Sequence, residues 1–129
     1  MSIAERDQKI IEIRLLENQI NQLEQQITLI DRQILELQIM QTNLDDIKKI
    51  KNDNALVPIG KDIFVESDIK SADKVLVNVG YGIFVKKTTE GAKDILEKQN
   101  KKLLDIRKEV INEVNNIFMK ITNIEKELA

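Results

Sequence analysis

Few residues in this 129-residue chain are equipped for covalent or acid–base chemistry. Histidine and cysteine are both absent. That removes the usual proton-transfer group near neutral pH, the commonest transition-metal ligand, any thiolate metal site and any disulfide. The adjacent carboxylates Asp45 and Asp46 diverge by about 100° on a helix, with no base or metal ligand beside them. The string Gly80-Tyr81-Gly82 lacks the third Gly and the helix start of a dinucleotide fingerprint, and reads as a hairpin turn. Lys48, Lys49 and Lys51 form a small basic cluster that reads as a solvated helix end. No catalytic residue, metal or cofactor is expected. The chemistry that remains is the burial of apolar surface.

That surface is concentrated in two near-copies of one decapeptide. Leu56, Val57, Pro58, Ile59, Gly60, Lys61, Asp62, Ile63, Phe64 and Val65 recur at an offset of twenty as Leu76, Val77, Asn78, Val79, Gly80, Tyr81, Gly82, Ile83, Phe84 and Val85, six of the ten being identical. Each copy reads as a hairpin. Apolar β-formers come first, Gly60 or Gly80 opens a short turn where a Cβ would be a steric cost, and Ile-Phe-Val returns. Both faces of such hairpins carry apolar residues, and two-stranded sheets are marginal in water. Roughly 30 residues of β structure have too little core to offset chain entropy. Pro58, which cannot donate to a ladder, marks an edge position or an outward N–H. Obligate oligomerisation through a β-rich platform is therefore expected.

The elements that carry the hairpins are long helices. Aromatic content is 3%, there is one Pro and 33% of residues are charged, while Ile, Leu, Glu, Lys and Gln dominate both ends. This is the mixture of coiled helices rather than of a compact core. Ile13, Leu16, Ile20, Leu23, Ile27, Ile30, Ile34, Leu37, Gln41 and Leu44 alternate by threes and fours, an a/d seam held in register over more than four heptads. Lys48 and Lys51 fall at the next seam positions, and Asn52-Asp53-Asn54 is a helix-terminating cluster, so the first arm is expected over 1–53. At 1.5 Å per residue it spans on the order of 75 Å and must project.

The hairpins occupy 54–87 and the second arm 88–129, starting at Thr88 or Thr89 with Glu90 in the first turn. Its stripe is Leu96, Leu103, Ile106, Val110, Val114, Ile117, Ile121, Ile124 and Leu128, with a stutter around Val110. Antiparallel pairing about the hairpins places Leu23 near Phe118 and Ile13 near Leu128. The fold class is α+β, mainly α: a long antiparallel coiled coil with two central β-hairpins that assemble into an oligomeric β-barrel platform.

Charge and hydropathy exclude other classes. A formal charge of −2 and a pI near 5.3 give no general reason to bind nucleic acid. The start of the chain lacks the apolar run of a signal peptide, and no stretch approaches the roughly 20 apolar residues of a membrane span. A cytosolic setting is expected, and the richness in Ile, Lys and Asn suggests an AT-rich genome.

Taken together, the long helix, the consecutive hairpins with Leu56-Val57-Pro58-Ile59-Gly60 and Val77-Asn78-Val79-Gly80-Tyr81-Gly82, and the second long helix resemble a prefoldin subunit of the α class over essentially the whole chain. Subunits of the β class carry one hairpin, so two argue for α. The resemblance implies a chaperone without ATPase activity, whose subunits join hairpins in a barrel and carry coiled coils as tentacles. It implies partnership with β-class subunits in a hexamer, unfolded client proteins held at the tips, and transfer to a group II chaperonin. The α-like gamma-prefoldin, which assembles alone into filaments, is the alternative.

Tips that hold unfolded chains need apolar side chains beyond those the seam consumes. Candidates are Ile3, Ile10, Ile11 and Leu15 on the first arm and Phe118, Met119 and Leu128 on the second. Ile10 and Ile11 take e and f positions, open to water in a two-stranded coil, and Met adapts to many sequences. Against this, Leu104, Ile111 and Phe118 recur every seven residues and would widen the buried stripe, while Leu29, Leu35, Ile39 and Met40 would pack on the barrel or a neighbouring arm. A coiled-coil scaffold with inert tips is the competing structural reading; an enzyme would require a concave polar site for which no residues are found.

Overall fold

A computed structural model describes all residues, 1–129. The chain order is α1 (Ile3–Lys48), β1 (Lys51–Gly60), β2 (Ile63–Ser71), β3 (Lys74–Gly80), β4 (Ile83–Thr88) and α2 (Thr89–Leu128). It is mainly helical, with two antiparallel hairpins and no closed barrel within one chain. No helix is long and apolar enough to cross a membrane. Two compact units are formed, named only for their place in the sequence: an outer one of the terminal residues 1–35 and 101–129, and an inner one of the central residues 36–100.

The outer unit is a pair of antiparallel helix segments. Its core is Ile20, Val114, Ile117 and Ile121, with Ile13, Leu16, Leu23 and Ile27 packed against it. Ser2 caps α1, its Oγ accepting the Glu5 N–H at 3.2 Å, and the first-turn N–H groups find the partner a helix start lacks. Two contacts tie the ends together. Arg6 donates to the Leu128 carbonyl at 3.2 Å, and Lys9 pairs with Glu127. Farther along, Arg107 meets Asp31 through Nε at 2.6 Å and a second nitrogen at 3.5 Å. These pairings differ by roughly one to two helical turns from the expected ones, and the Leu128 carbonyl meets Arg6 rather than lying near Ile13. The cause is the end of α1, which stops at Lys48 rather than near Asn52.

The first seam is as expected: from Leu15 to Asp46, the residues that are not exposed are the seven seam positions from Leu16 to Leu37 together with Gln41 and Leu44. Beyond it, half-buried Ile47, not the exposed Lys48, continues the stripe. The second seam corrects the expectation more deeply. Ile106 is 47% exposed, and half-buried Arg107 takes its place. The protected seam residues of α2 then run Leu96, Asn100, Leu103, Arg107, Val110, Val114, Ile117, Ile121, Ile124 and Leu128, alternating fours and threes with no stutter, with Ile111 half-buried beside them. The apparent stutter came from passing over polar residues at seam positions. Arg107 is tolerated because its aliphatic stem lies along the seam while its head reaches Asp31. Asn100 has no such outlet: its Oδ1 is buried without a hydrogen-bond partner.

In the inner unit the hairpins begin and end beyond their apolar decapeptides. β1 pairs with β2 from Lys51↔Ser71 to Gly60↔Ile63, and β3 with β4 from Lys74↔Thr88 to Gly80↔Ile83. Asn52-Asp53-Asn54 therefore lies in β1 and not at a helix end; Asn52, at φ 49°, turns the chain out of α1. Both registers shift before the turn, around Ile59 and Val79. The copies diverge at the turn itself. Tyr81 and Gly82 both have positive φ (53° and 71°), whereas in the first hairpin only Asp62 does (59°). The second is thus the type I′ arrangement whose twist suits a hairpin.

Thr88 and Thr89 divide the labour of starting α2. Thr88 Oγ1 accepts the Gly91 N–H at 3.0 Å as the cap. Thr89, only 2% exposed, donates its hydroxyl to the Ala72 carbonyl at 2.6 Å and its N–H to the Asp73 carbonyl at 2.9 Å. The β2–β3 connection is thereby fastened to the helix start.

A buried amide oxygen without a donor costs about 1–3 kcal/mol relative to an apolar replacement that fills the space. Asn100→Leu is accordingly expected to raise the thermal midpoint measured by circular dichroism, while relaxing the pairing register that a lone polar seam residue enforces. A lowered midpoint would show that Asn100 is satisfied in solution.

Candidate functional site

The hairpins expose what a folded core ordinarily hides. Leu56, Val57, Ile59, Ile63, Phe64 and Val65 of the first are exposed, with Leu56 at 65%, and Pro58 and Gly60 are exposed beside them. In the second, Leu76, Val79, Ile83 and Phe84 are exposed, with Leu76 at 67%, while Val77, Gly80 and Val85 are half-buried. Facing pairs Val57↔Val65 and Val77↔Val85 place valines on one face; Pro58↔Phe64 and Asn78↔Phe84 place the rings on the other. Since residues directly opposite share a face and successive ones alternate, both faces of each hairpin are apolar. Neither sheet has a third strand, so each strand also keeps one unpaired edge.

Two ion pairs fix the helix ends within this unit. Lys93 meets Asp45 at 2.5 Å and Lys48 meets Glu90. The Lys93 hydrogen bond holds the Asp45 carboxyl below the ordinary carboxylate range, helped by the charges of Lys93, Lys48 and Lys49. Lys48 does the same for Glu90, and Asp45 in turn raises Lys93. In the outer unit Asp31 raises Arg107. Lys48 is thus a partner for Glu90 rather than part of an unpaired basic cluster.

At the tip, Ile3, Ile10, Ile11, Leu15, Phe118 and Met119 are all exposed, whereas Leu128 is half-buried in the seam. Ile11 and Leu15, with Glu5, Gln8, Lys9 and Glu12, border an open groove of about 520 Å³ on α1. Phe118 lies between Ile117 and Ile121, which pack on Ile20, about one turn inward from Leu15. Leu104 stays exposed and Ile111 is half-buried, so this line widens the buried stripe only in part. Leu29, Leu35, Ile39 and Met40 remain exposed within the chain. The polar seam residues Asn100 and Arg107 escaped the sequence reading; counting threes and fours back from Val110 without regard to polarity would have found them.

No cluster of His, Cys, Asp or Glu has metal-binding geometry. The arrangement is one for contact with other polypeptides, and comparison with known proteins agrees. The family model for prefoldin subunits matches residues 16–129. The chain belongs to the prefoldin family. It is 34% identical over 99 residues to prefoldin subunit alpha of Methanobrevibacter smithii, covering 77% of this chain and 68% of that one. It is 29% identical over 113 residues to prefoldin subunit alpha of Thermofilum pendens, covering 88% and 83%. In structure it resembles filamentous prefoldin of Methanocaldococcus jannaschii, with a TM-score of 0.80 at 29% identity, over 89% of this chain and 96% of that chain. Prefoldins are chaperones, and their subunits assemble with other subunits or with themselves. This chain is therefore a chaperone-type subunit with the hairpins and coiled coil of its family.

The carboxylates of Asp45 and Glu90 contribute to the acid response. Because their folded values are depressed, their contribution is present above the unfolded value near 4 and is lost as pH falls through the folded value. Helical pairing followed by circular dichroism is expected to hold from neutral pH down to about 5 and to weaken below about 4, with a smaller loss in Asp45→Asn/Glu90→Gln. The same pairs are solvent-exposed, so added salt should blunt the effect.

Proposed function

We propose that this prefoldin subunit is an ATP-independent holdase, whose hairpins join those of other subunits in a common β-barrel and whose coiled-coil tip binds unfolded proteins in the cytosol. The observation that carries the client-binding half is the set of exposed aliphatic side chains at the outer end, Ile3, Ile10, Ile11 and Leu15. The seam leaves them unused, since Ile13, Leu16 and Ile20 fill it. Short aliphatic contacts near a helix end bind many sequences weakly, as a holdase requires. Phe118 and Met119 add a ring and a flexible thioether alongside. The held chain is then passed to a group II chaperonin.

The platform half is supported by the hairpin faces, which lose their contact with water only when other subunits cover them. Partners are β-class subunits in a hexamer or further copies of this chain. Likeness to a filamentous prefoldin at TM-score 0.80 favours the second arrangement as an alternative.

Each buried Ile is worth about 1.5–3 kcal/mol. Replacing Ile10 and Ile11 together by Ser should therefore weaken client capture by about tenfold or more, read as lost suppression of light scattering from a chemically unfolded protein, with assembly size unchanged. Full suppression by that variant would move the binding site away from the tip and favour the scaffold reading.

A further inference from the structure

The two decapeptides at the heart of the hairpins differ most in chemistry at the turn. At the turn, Lys61-Asp62 of the first becomes Tyr81-Gly82 of the second, so one tip is charged and the other aromatic. Tyr81 touches nothing in its own chain: it is fully exposed, and its φ of 53° is in the left-handed region. For a bulky side chain that region is disfavoured by about 1–3 kcal/mol, and Asn or Gly would occupy it more comfortably. The turn beneath it is held ready, because Asn78 Oδ1 accepts the Gly80 N–H at 2.9 Å.

The inner unit also has a receptor of matching chemistry. A groove of about 460 Å³ lies between β3 and the ends of both helices, with an apolar floor that includes Leu44, Ile47 and Leu96. The exposed side-chain amides of Asn43 and Gln99 and the exposed Met40 also line it. An apolar floor with amide acceptors suits a phenol, whose ring seeks cover and whose hydroxyl seeks an acceptor. A chain cannot fill its own groove with its own Tyr81, which points into open solvent.

We propose that the Tyr81 tip of one copy seats in this groove of a second copy. The contact joins two different surfaces and so leaves a free tip and a free groove at the ends of every assembly, which allows growth into an open chain. It rests on self-assembly of the subunit and is independent of client binding. The first hairpin tip, with Lys61 and Asp62, has no ring to insert and stays outside the contact.

The test is the concentration at which the protein assembles, followed by light scattering after gel filtration. Tyr81→Gly and Tyr81→Asn both relieve the backbone strain and should keep full helical content. Loss of an aromatic anchor should raise their half-assembly concentration by ~30-fold or more, whereas Tyr81→Phe, losing only the hydroxyl, should change it by less than ~15-fold. Met40→Glu, which places a charge at the groove without touching the seam, should behave like Tyr81→Gly. An equal mixture of Met40→Glu and Tyr81→Gly restores one intact tip and one intact groove, and should form pairs that neither variant forms alone. Assembly of Tyr81→Gly or Met40→Glu at the wild-type concentration, a mixture no better than its parts, or a wild-type protein that stays monomeric would each overturn the proposal. Normal assembly without aggregation suppression would instead count against the holdase reading alone.

Discussion

Two narrow sheets with apolar side chains on both faces and no third strand beside either one set the terms for this molecule. A hairpin of two strands gains little from its own cross-strand pairs, a few tenths to about 1 kcal/mol each. The chain entropy of ordering its residues is of the same size or larger. What the chain supplies locally is limited to turn geometry, the caps at the start of α2 and the Thr89 bonds to the β2–β3 connection. The remaining stabilisation has to come from covering Leu56, Phe64, Leu76 and Phe84, all more than half exposed. Assembly is the physical consequence we draw, and membership of the prefoldin family accords with it.

The coiled coil follows a different logic. Between Val110 and Leu128 the seam is wholly apolar, and three of its residues, Val114, Ile117 and Ile121, form a buried core with Ile20. Nearer the hairpins, Asn100 and Arg107 interrupt it, and Lys93 and Lys48 reach across to carboxylates. Apolar layers provide the affinity of the two helices for each other, while a polar layer penalises wrong registers. Correct register matters here because both helices end at the hairpins, where a slip of one residue would displace Thr89 from the Ala72 carbonyl. Surface ion pairs of this kind contribute little stability singly, so their role is better understood as alignment.

Much of this was legible from residue order, for identifiable reasons. The α1 seam could be read because every seam position from Ile13 to Leu37 is Ile or Leu and the spacing never breaks. The hairpins could be read because the decapeptide occurs twice. The reading of α2 failed at Ile106 because polarity was taken as a guide to exposure, and Arg107 shows that a long side chain can occupy a seam and still place its charge in water. The end of α1 was missed because Asn52-Asp53-Asn54 favours termination, whereas pairing with Ile69 and Asp68 draws Asp53 and Asn54 into β1. Such pairing is a long-range effect that local propensity does not contain. Ile10 and Ile11 are exposed, as the heptad count implies, since e and f positions of a two-stranded coil are open to water by geometry alone.

The dependence of the hairpins on assembly can be measured directly by amide hydrogen exchange across a dilution series. If the account is right, protection of the β1–β4 amides falls together with the assembled fraction, while the α1 and α2 amides around Ile20 and Ile117 stay protected in the monomer. Hairpin amides that remain fully protected in a dilute monomer would contradict it, because the sheets would then be stable without any surface to cover them.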